Sequence, residues 1–187
     1  MIFREVEDRD LIRKAQAGSI EAYNLLVSRW EKRVYNYLLR LVRNREDSLD
    51  LCQDVLLKAY QNLRKLEDPD RFAAWLFRIA HNEAFSLLRR KRPDAVDTDP
   101  AAAEAAAASP PGPGMLPMET SIAVDAALRR LTVEQREAVI LKVYRGFKFE
   151  EMAEILSCPV STVKSRLYTA LDLLKDILAP AVQRSAK

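Results

Sequence analysis

Apolar residues recur every three or four positions through the first 93 residues, a spacing that places them on one face of an α-helix. Gly18 can end a short first helix around Leu11 and Ile12, and Ser19 can cap the helix that follows. Alternating polar and apolar runs, which would indicate strands, do not occur in this half. The pattern therefore predicts four helices: the short one, then helices over about residues 19–43, 47–66 and 71–91.

The residues after 121 show the same spacing and end in a pattern typical of a helix-turn-helix. A helix over residues 122–131 is followed by Thr132 and Gln135, which form a capping box for a second helix, and Gly146 can end that helix in a left-handed conformation. A short helix, FEEMAEIL, then precedes the turn SCP and the longer amphipathic helix VSTVKSRLYTALDLL. The chain is therefore predicted to be all-α.

The last of these helices has one apolar and one polar face. Val160, Val163 and Leu167 hold it against the helix before it. The outward face carries hydroxyl groups, a cation and an aromatic ring, and such a surface suits the major groove of DNA. An ordinary three-helix packing unit with a solvated face is the alternative from the pattern alone. The outward residues are Ser161, Lys164, Ser165, Tyr168 and Thr169, with Arg166 to one side.

Residues 94–121 differ in composition from both flanks. They contain five of the nine prolines, two glycines, eight alanines and five acidic residues, but no basic residue. Residues 1–93 carry a net charge of +5 and residues 122–187 a net charge of +3. We predict two small helical domains, 1–93 and 122–187, joined by a flexible linker with a span of roughly 25–35 Å. A loop packed on one of the domains is the alternative.

The composition of the 187 residues argues against several classes of function. Four glycines form no phosphate-binding loop, and one histidine and two scattered cysteines do not supply the clustered ligands of a zinc site. No enzymatic activity, metal or cofactor is therefore predicted. We expect a cytoplasmic protein, because the acidic start is no signal peptide, the cysteines suit a reducing compartment, and no run of 18 apolar residues occurs.

Two groups of motifs resemble a known family, the extracytoplasmic-function (group IV) sigma factors of the bacterial sigma-70 family. The family's region 4 is similar to LTVEQREAVILKVYRGFKFEEMAEIL followed by CPVSTVKSRLYTAL. Its region 2 is similar, in successive order, to LIRKAQAGSIEAYNLLVSRWEKRVYNYLLRLV, DLCQDVLLKAY and FAAWLFRIAHNEAFSLLRRKR. Both regions in this order, joined by a short variable linker, are typical of this family.

The resemblance implies that the protein recruits RNA polymerase core to promoters and helps to melt the duplex. Region 2 of the family docks on the clamp coiled coil of the largest polymerase subunit, and the corresponding residues here are Asp50, Leu51, Gln53 and Asp54. Region 2 also reads the −10 element as melted DNA. Besides the 64–71 loop, the residues that correspond to this function are Lys58, Phe77, Asn82, Arg89 and Arg90.

Region 4 of the family contacts the polymerase flap and reads the −35 element as duplex. The matching residues are Lys142, Ser161, Lys164, Ser165, Arg166, Tyr168 and Thr169. Related factors often carry arginine at the positions of Lys164 and Thr169, and because arginine binds guanine with two hydrogen bonds, the −35 sequence is not fixed by the resemblance. An anti-sigma factor, commonly membrane-bound, is also implied as a partner, and no small-molecule substrate is.

Other residues allow more than one interpretation from the sequence. Trp75 is interpreted as a core residue, and His81 as a DNA-facing or solvated side chain. Buried structural roles are expected for Cys52 and Cys158 rather than redox sensing. Rival functions are an autonomous helix-turn-helix repressor or activator that dimerises or senses a ligand through residues 1–93, and an enzyme acting on nucleic acid through His81.

Overall fold

The computed structural model describes residues 6–91 and 124–185, with side chains up to residue 178. All regular elements in these ranges are helical, which confirms the all-α prediction. The predicted linker, residues 94–121, lies outside the described residues. None of the described helices is long and apolar enough to cross a membrane.

Four helices form the first half: α1 (Asp8–Gln16), α2 (Ile20–Val42), α3 (Arg45–Asn62) and α4 (Phe72–Lys91). Short 3₁₀ turns, Leu63–Lys65 and Pro69–Arg71, connect α3 to α4. Helix α2 packs against α1, α3 and α4, and α3 packs against α4. Their shared core is apolar and includes the fully buried Ile12, Leu26, Val34, Leu38, Val55 and Leu76.

Local sequence signals explain the ends of these helices. The Ser19 hydroxyl accepts a hydrogen bond from the Ala22 amide at 3.2 Å, as the predicted cap requires. The Asn44 side chain caps α3, so this helix begins at Arg45, two residues before the predicted start. It also ends earlier than predicted, because Gln16 donates hydrogen bonds to the carbonyls of Leu63 and Leu66 and holds that segment in a tighter turn.

The second half contains a helical stretch over residues 124–128, then α5 (Val133–Val139), α6 (Phe149–Ile155) and α7 (Val160–Ser185). The capping box of Thr132 and Gln135 is confirmed, and Gly146 adopts the expected left-handed conformation with φ of 75°. Residues Ile140–Tyr144 form a π-helical turn rather than the continuous α-helix that the periodicity predicted. A hydrogen bond of 3.1 Å from the Arg145 amide to the Ile140 carbonyl closes this wider turn.

The two halves pack against each other. Helix α4 packs along α6, and α2 contacts both α5 and the π-helical turn. Aromatic rings join the two cores: Phe77 lies edge-to-face between Tyr37 and Phe147, with ring centroids 5.1 and 5.2 Å away. Periodicity within either half could not predict this contact, because it joins residues far apart in the chain.

Candidate nucleic-acid interface

A concave site of about 300 Å³ opens between α3 and α4, and we call it the α3–α4 pocket. Both helices present side chains to it because their buried stripes face each other and leave the neighbouring positions at the rim. Two predicted −10 residues, Lys58 and Asn82, are brought together here. The pocket is lined by Lys58, Asn62, Lys65, Trp75, Ile79, Asn82 and Glu83.

Hydrogen bonds and one ion pair hold the polar wall of the α3–α4 pocket. The Lys58 ammonium lies 2.6 Å from a carboxylate oxygen of Glu83, whose side chain is only 18% exposed. On the same wall, Lys65 donates to the Asn62 side-chain oxygen at 2.8 Å, and the Asn62 amide donates to the Lys58 carbonyl at 2.9 Å. The pocket therefore combines cations, an amide and a single carboxylate in fixed positions.

Trp75 and Ile79 form the apolar wall of this pocket. Trp75 is half-buried and packs against Phe72, with ring centroids 5.9 Å apart, so its interpretation as a core residue holds for one part of the side chain. The remainder lines the pocket. A half-exposed indole next to polar groups is a surface on which an unstacked base can stack.

Two predicted site residues lie in the core instead. Phe77 is 1% exposed and is enclosed by Tyr37 and Phe147, so in this conformation it cannot touch DNA. Leu51 is 5% exposed and packs inside the first half, so the prediction that it contacts polymerase is wrong for this conformation. Both errors have the same cause. A motif match predicts where a residue lies along a helix, but it does not predict which side of that helix is buried by its neighbours.

The outward side of α3 carries the other predicted polymerase contacts, and we call it the α3 face. Asp50, Gln53 and Asp54 are all exposed on it. Two leucines that the sequence analysis did not single out, Leu49 and Leu57, are 46% and 56% exposed there. Their spacing of four residues on either side of Gln53 was the available signal, since it places all three on one side of the helix. The α3 face is therefore acidic and partly apolar.

The outward side of α7 has the predicted character, and we call it the α7 face. All five predicted outward residues are exposed, and Arg166 is half-buried beside them. The Lys164 ammonium lies 5.3 Å from the centre of the Phe149 ring. Lys142 is less available, because its ammonium donates to the Phe147 carbonyl at 3.0 Å and also lies over the Phe149 ring. The five residues are Ser161, Lys164, Ser165, Tyr168 and Thr169.

Arg89 and Arg90 are exposed near the end of α4. They add positive charge to the same helix that contributes Asn82 to the α3–α4 pocket. Among the described residues, no group of three or more histidine, cysteine, aspartate or glutamate side chains could hold a metal ion.

Comparison with known proteins assigns both halves to one family. Residues 26–93 match sigma-70 region 2, and residues 121–174 match sigma-70 region 4. The ECF RNA polymerase sigma-E factor of Escherichia coli (strain K12) is 32% identical over 96% of this chain and 98% of its own length.

The chain belongs to the ECF sigma factors of the sigma-70 family. It is therefore a promoter-specific transcription initiation factor that acts with RNA polymerase.

Solved sigma factor structures share its fold. CnrH in complex with the cytosolic domain of CnrY is 27% identical and superposes with a TM-score of 0.68 over 92% of this chain and 97% of that one. The sigma factor RpoE of Bartonella quintana, in complex with the anti-sigma factor NepR, is 26% identical, with a TM-score of 0.68 over 86% of this chain and 98% of that one.

A buried polar cluster joins region 2 to region 4 of this sigma factor. Glu137 of α5 is fully buried, and one of its carboxylate oxygens accepts a hydrogen bond from the Tyr37 hydroxyl at 2.5 Å. The same oxygen lies 2.8 Å from Nδ1 of His81. Burial, together with the Glu137 charge, raises the pKa of Tyr37 well above its ordinary value, so this hydroxyl stays protonated and donates. The interpretation of His81 as DNA-facing or solvated is therefore wrong, because a buried carboxylate from the other region holds it.

Three arginine side chains of region 2 make further contacts with region 4. Arg43 of region 2 pairs with Asp125 of region 4 at 3.1 Å, and the Arg40 guanidinium lies 4.5 Å from the centre of the Tyr144 ring. Arg71, at the end of the 64–71 loop, forms an ion pair with Glu154 on α6. The loop predicted to read the −10 element is thus in direct contact with the first helix of the helix-turn-helix.

The two cysteines differ in environment. Cys52 is buried, and burial, reinforced by Glu31, raises its pKa to about 11, so its thiol stays protonated and unreactive at neutral pH. Cys158 is half-buried in the turn between α6 and α7, with its sulfur 4.0 Å from Arg166. The prediction of a buried structural cysteine therefore agrees with Cys52 and only partly with Cys158.

Proposed function

We propose that this sigma factor reads promoter DNA with two surfaces of different construction. Region 2, taken as residues 1–93, would read an unstacked base of the melted −10 strand in the α3–α4 pocket. Region 4, taken as residues 122–187, would read the −35 duplex with the α7 face. The observation that carries the proposal is the α3–α4 pocket, where an indole, an amide and cations converge on one concave site.

The chemistry of the α3–α4 pocket fits melted DNA better than duplex. A base can enter a pocket only after it leaves the stack, and unstacking costs roughly a few kcal/mol. Stacking on an aromatic wall and hydrogen bonds to the base edge offset this cost. Trp75 supplies the wall, Asn82 supplies an amide that both donates and accepts, and Lys65 supplies a cation for phosphate.

The α7 face fits a duplex. It belongs to a helix that is held from behind by the buried Val163 and Leu167, and a convex helix of this size enters the major groove. Its hydroxyl groups and Lys164 can reach base edges and the flanking phosphates.

We assign polymerase binding to the α3 face. Asp50, Gln53 and Asp54 offer negative charge and an amide to a basic coiled coil, and the exposed Leu49 and Leu57 offer apolar area. An exposed apolar side chain with a charged rim around it is the usual composition of a protein-binding surface.

The proposal requires regions 2 and 4 to separate. The −10 and −35 elements are named for positions about 25 base pairs apart, which is roughly 85 Å along B-DNA. Here α4 packs along α6, and α2 also contacts the second half. Two small helical domains packed in this way do not extend over about 85 Å, so the two reading surfaces cannot reach both elements together. This packed arrangement is therefore incompatible with promoter binding, and α6 must leave α4 before initiation.

We also infer a protein antagonist as a partner. RpoE of Bartonella quintana was solved with the anti-sigma factor NepR, and we infer that an anti-sigma factor of unspecified identity binds this chain as well. We propose that this chain acts in the cytoplasm, where polymerase and promoter DNA meet. Its role is to bind them, while the polymerase catalyses RNA synthesis and this chain is not an enzyme.

Gel-shift assays with and without RNA polymerase core test the proposal. The chain alone should bind promoter duplex weakly and in a salt-sensitive way, because each region carries only a small net charge, and core should convert this to specific binding. The double variant Gln53→Ala with Asp54→Arg should lose most core binding, because it removes an amide and reverses a charge on the α3 face.

A matched control is Asp10→Arg, which makes the same charge reversal on an exposed residue of α1. This variant should bind core as the wild type does. Tight binding to a palindromic site without polymerase would instead support the rival function, an autonomous helix-turn-helix regulator.

A further inference from the structure

A carboxylate is an unexpected group in a pocket for DNA, because it repels phosphates. Glu83 nevertheless lies inside the α3–α4 pocket, one residue after Asn82, and it is the only acidic side chain among the lining residues that the structure describes. Its side chain is 18% exposed, and Lys58 fixes it from the opposite helix at 2.6 Å. The motif comparison did not single it out.

The ion pair determines what this carboxylate can do. Lys58 compensates much of its charge, so the pair as a whole repels DNA weakly. An ionised carboxylate can only accept hydrogen bonds, and it has about four lone-pair sites, of which Lys58 occupies one. Glu83 lines the cavity of about 300 Å³, so its remaining acceptor sites are available to a hydrogen-bond donor on a base that enters the pocket.

The four DNA bases differ in the donors they offer. Cytosine, adenine and guanine each carry an exocyclic amino group, whereas thymine has none and places carbonyl oxygens on both sides of its single ring N–H. A carboxylate that approaches this N–H also approaches a carbonyl oxygen, and the two acceptors repel each other. Thymine is therefore the base that Glu83 fits worst.

We propose that Glu83 is a specificity-determining residue, which makes the α3–α4 pocket accept a base with an exocyclic amino group and reject thymine. Lys58 is the positioning residue, since it holds the carboxylate in place. This inference rests on the proposed −10 function of the pocket, and it adds a base preference to it.

The test uses the full chain bound to RNA polymerase core and a library of pre-melted templates randomised over the −10 element. Wild-type holoenzyme should deplete thymine at one position. A single template that carries deoxycytidine there should lose roughly ten- to a hundredfold in affinity when deoxyuridine replaces it, because this change exchanges the amino group for a carbonyl oxygen. Templates with adenine and guanine at that position establish which amino-bearing base is preferred.

Glu83→Gln keeps the size of the side chain but adds an amide donor that can pair with a carbonyl oxygen. This variant should lose the discrimination against thymine and deoxyuridine at that one position and keep the preferences at all others. Glu21→Gln, at an exposed glutamate on α2, is the matched control and should behave as wild type. Circular dichroism melting of both variants verifies that they fold.

The possible outcomes separate the inference from the proposed function. If wild type and Glu83→Gln give the same base preferences, or if wild type depletes thymine at no position, Glu83 does not select the base, although −10 reading itself stands. If wild-type holoenzyme shows no base preference on melted templates, the proposed function of the pocket fails and the inference fails with it.

Discussion

The α3–α4 pocket and the α7 face are both assigned to DNA, but their side chains are held very differently. In the pocket, Lys58 is paired with Glu83 and Lys65 with Asn62, so the polar groups are in place before DNA arrives. On the α7 face, the hydroxyl groups and Tyr168 are exposed, and none of them makes a side-chain hydrogen bond within the described part of the chain. The arranged side chains of the pocket lose little freedom when a base binds, whereas the free side chains of the α7 face become ordered only when they contact the −35 duplex.

This difference predicts that substitutions in the two places have different signatures. Changes in the α3–α4 pocket should alter which base is preferred, and removal of the Lys164 charge on the α7 face should alter how strongly salt weakens binding. Both surfaces can bind DNA together only after regions 2 and 4 separate. We therefore expect the largest effect from a substitution that weakens the contact between the two regions.

Tyr37→Phe removes a hydrogen bond to the buried Glu137 carboxylate and should weaken the packing of region 4 on region 2. A hydrogen bond to a charged group contributes about 1.5–3 kcal/mol, so the population of separated molecules should rise by roughly ten- to a hundredfold. Energy transfer between dyes placed on regions 2 and 4 measures this population. Tyr60→Phe is the control, since Tyr60 is exposed and contacts Tyr23 by ring packing. Equal energy transfer in both variants would show that the Glu137 cluster does not hold the two regions together.

Trp75→Ala removes the aromatic part of the apolar wall of the α3–α4 pocket and leaves Ile79 in place. Stacking of a base on an aromatic side chain is worth about 1–3 kcal/mol, and this variant should lose that amount on pre-melted templates while its binding to an isolated −35 duplex stays unchanged. Fluorescence anisotropy on the two templates gives the comparison directly. Equal losses on both templates would indicate a general defect in folding and would remove the distinction between the two surfaces.

Lys164→Ala should have the smallest effect. Lys164 is exposed and rests near the Phe149 ring without an ion pair in the described residues, so we expect it to meet phosphate rather than one base. Binding should weaken evenly on all −35 sequences, and the slope of log K against log salt should fall by about one. A salt titration on a panel of duplexes measures both quantities. A change of preference at a single base pair would instead assign a base contact to Lys164.

The sequence predicted those features that depend on neighbouring residues. The Ser19 cap, the capping box of Thr132 and Gln135, and the left-handed Gly146 all follow from signals within four residues, and the structure confirms each of them. The outward residues of α7 were likewise predictable, because one helical period separates its buried positions from its exposed ones.

Features that depend on the packing of distant segments could not be predicted in this way. Phe77 was assigned to DNA and His81 was interpreted as DNA-facing or solvated. Both contact region 4 residues, Phe147 and Glu137, that lie more than 50 positions away in the chain. Glu83 was missed for a related reason. A glutamate on an amphipathic helix normally indicates a solvated position, and only the lysine on the opposite helix distinguishes this one.

The carboxylate of Glu137 also sets how reversible the packed state is. One of its oxygens binds Tyr37 and His81, but the other is buried and has no hydrogen-bond partner in the described part of the chain. Leaving such an atom unsolvated costs about 1–3 kcal/mol or more, and separation of the regions returns it to water. This cost opposes the packing of region 4 on region 2. The packed state is therefore less stable than it would be if both oxygens were hydrogen-bonded, and polymerase needs correspondingly less energy to separate the regions.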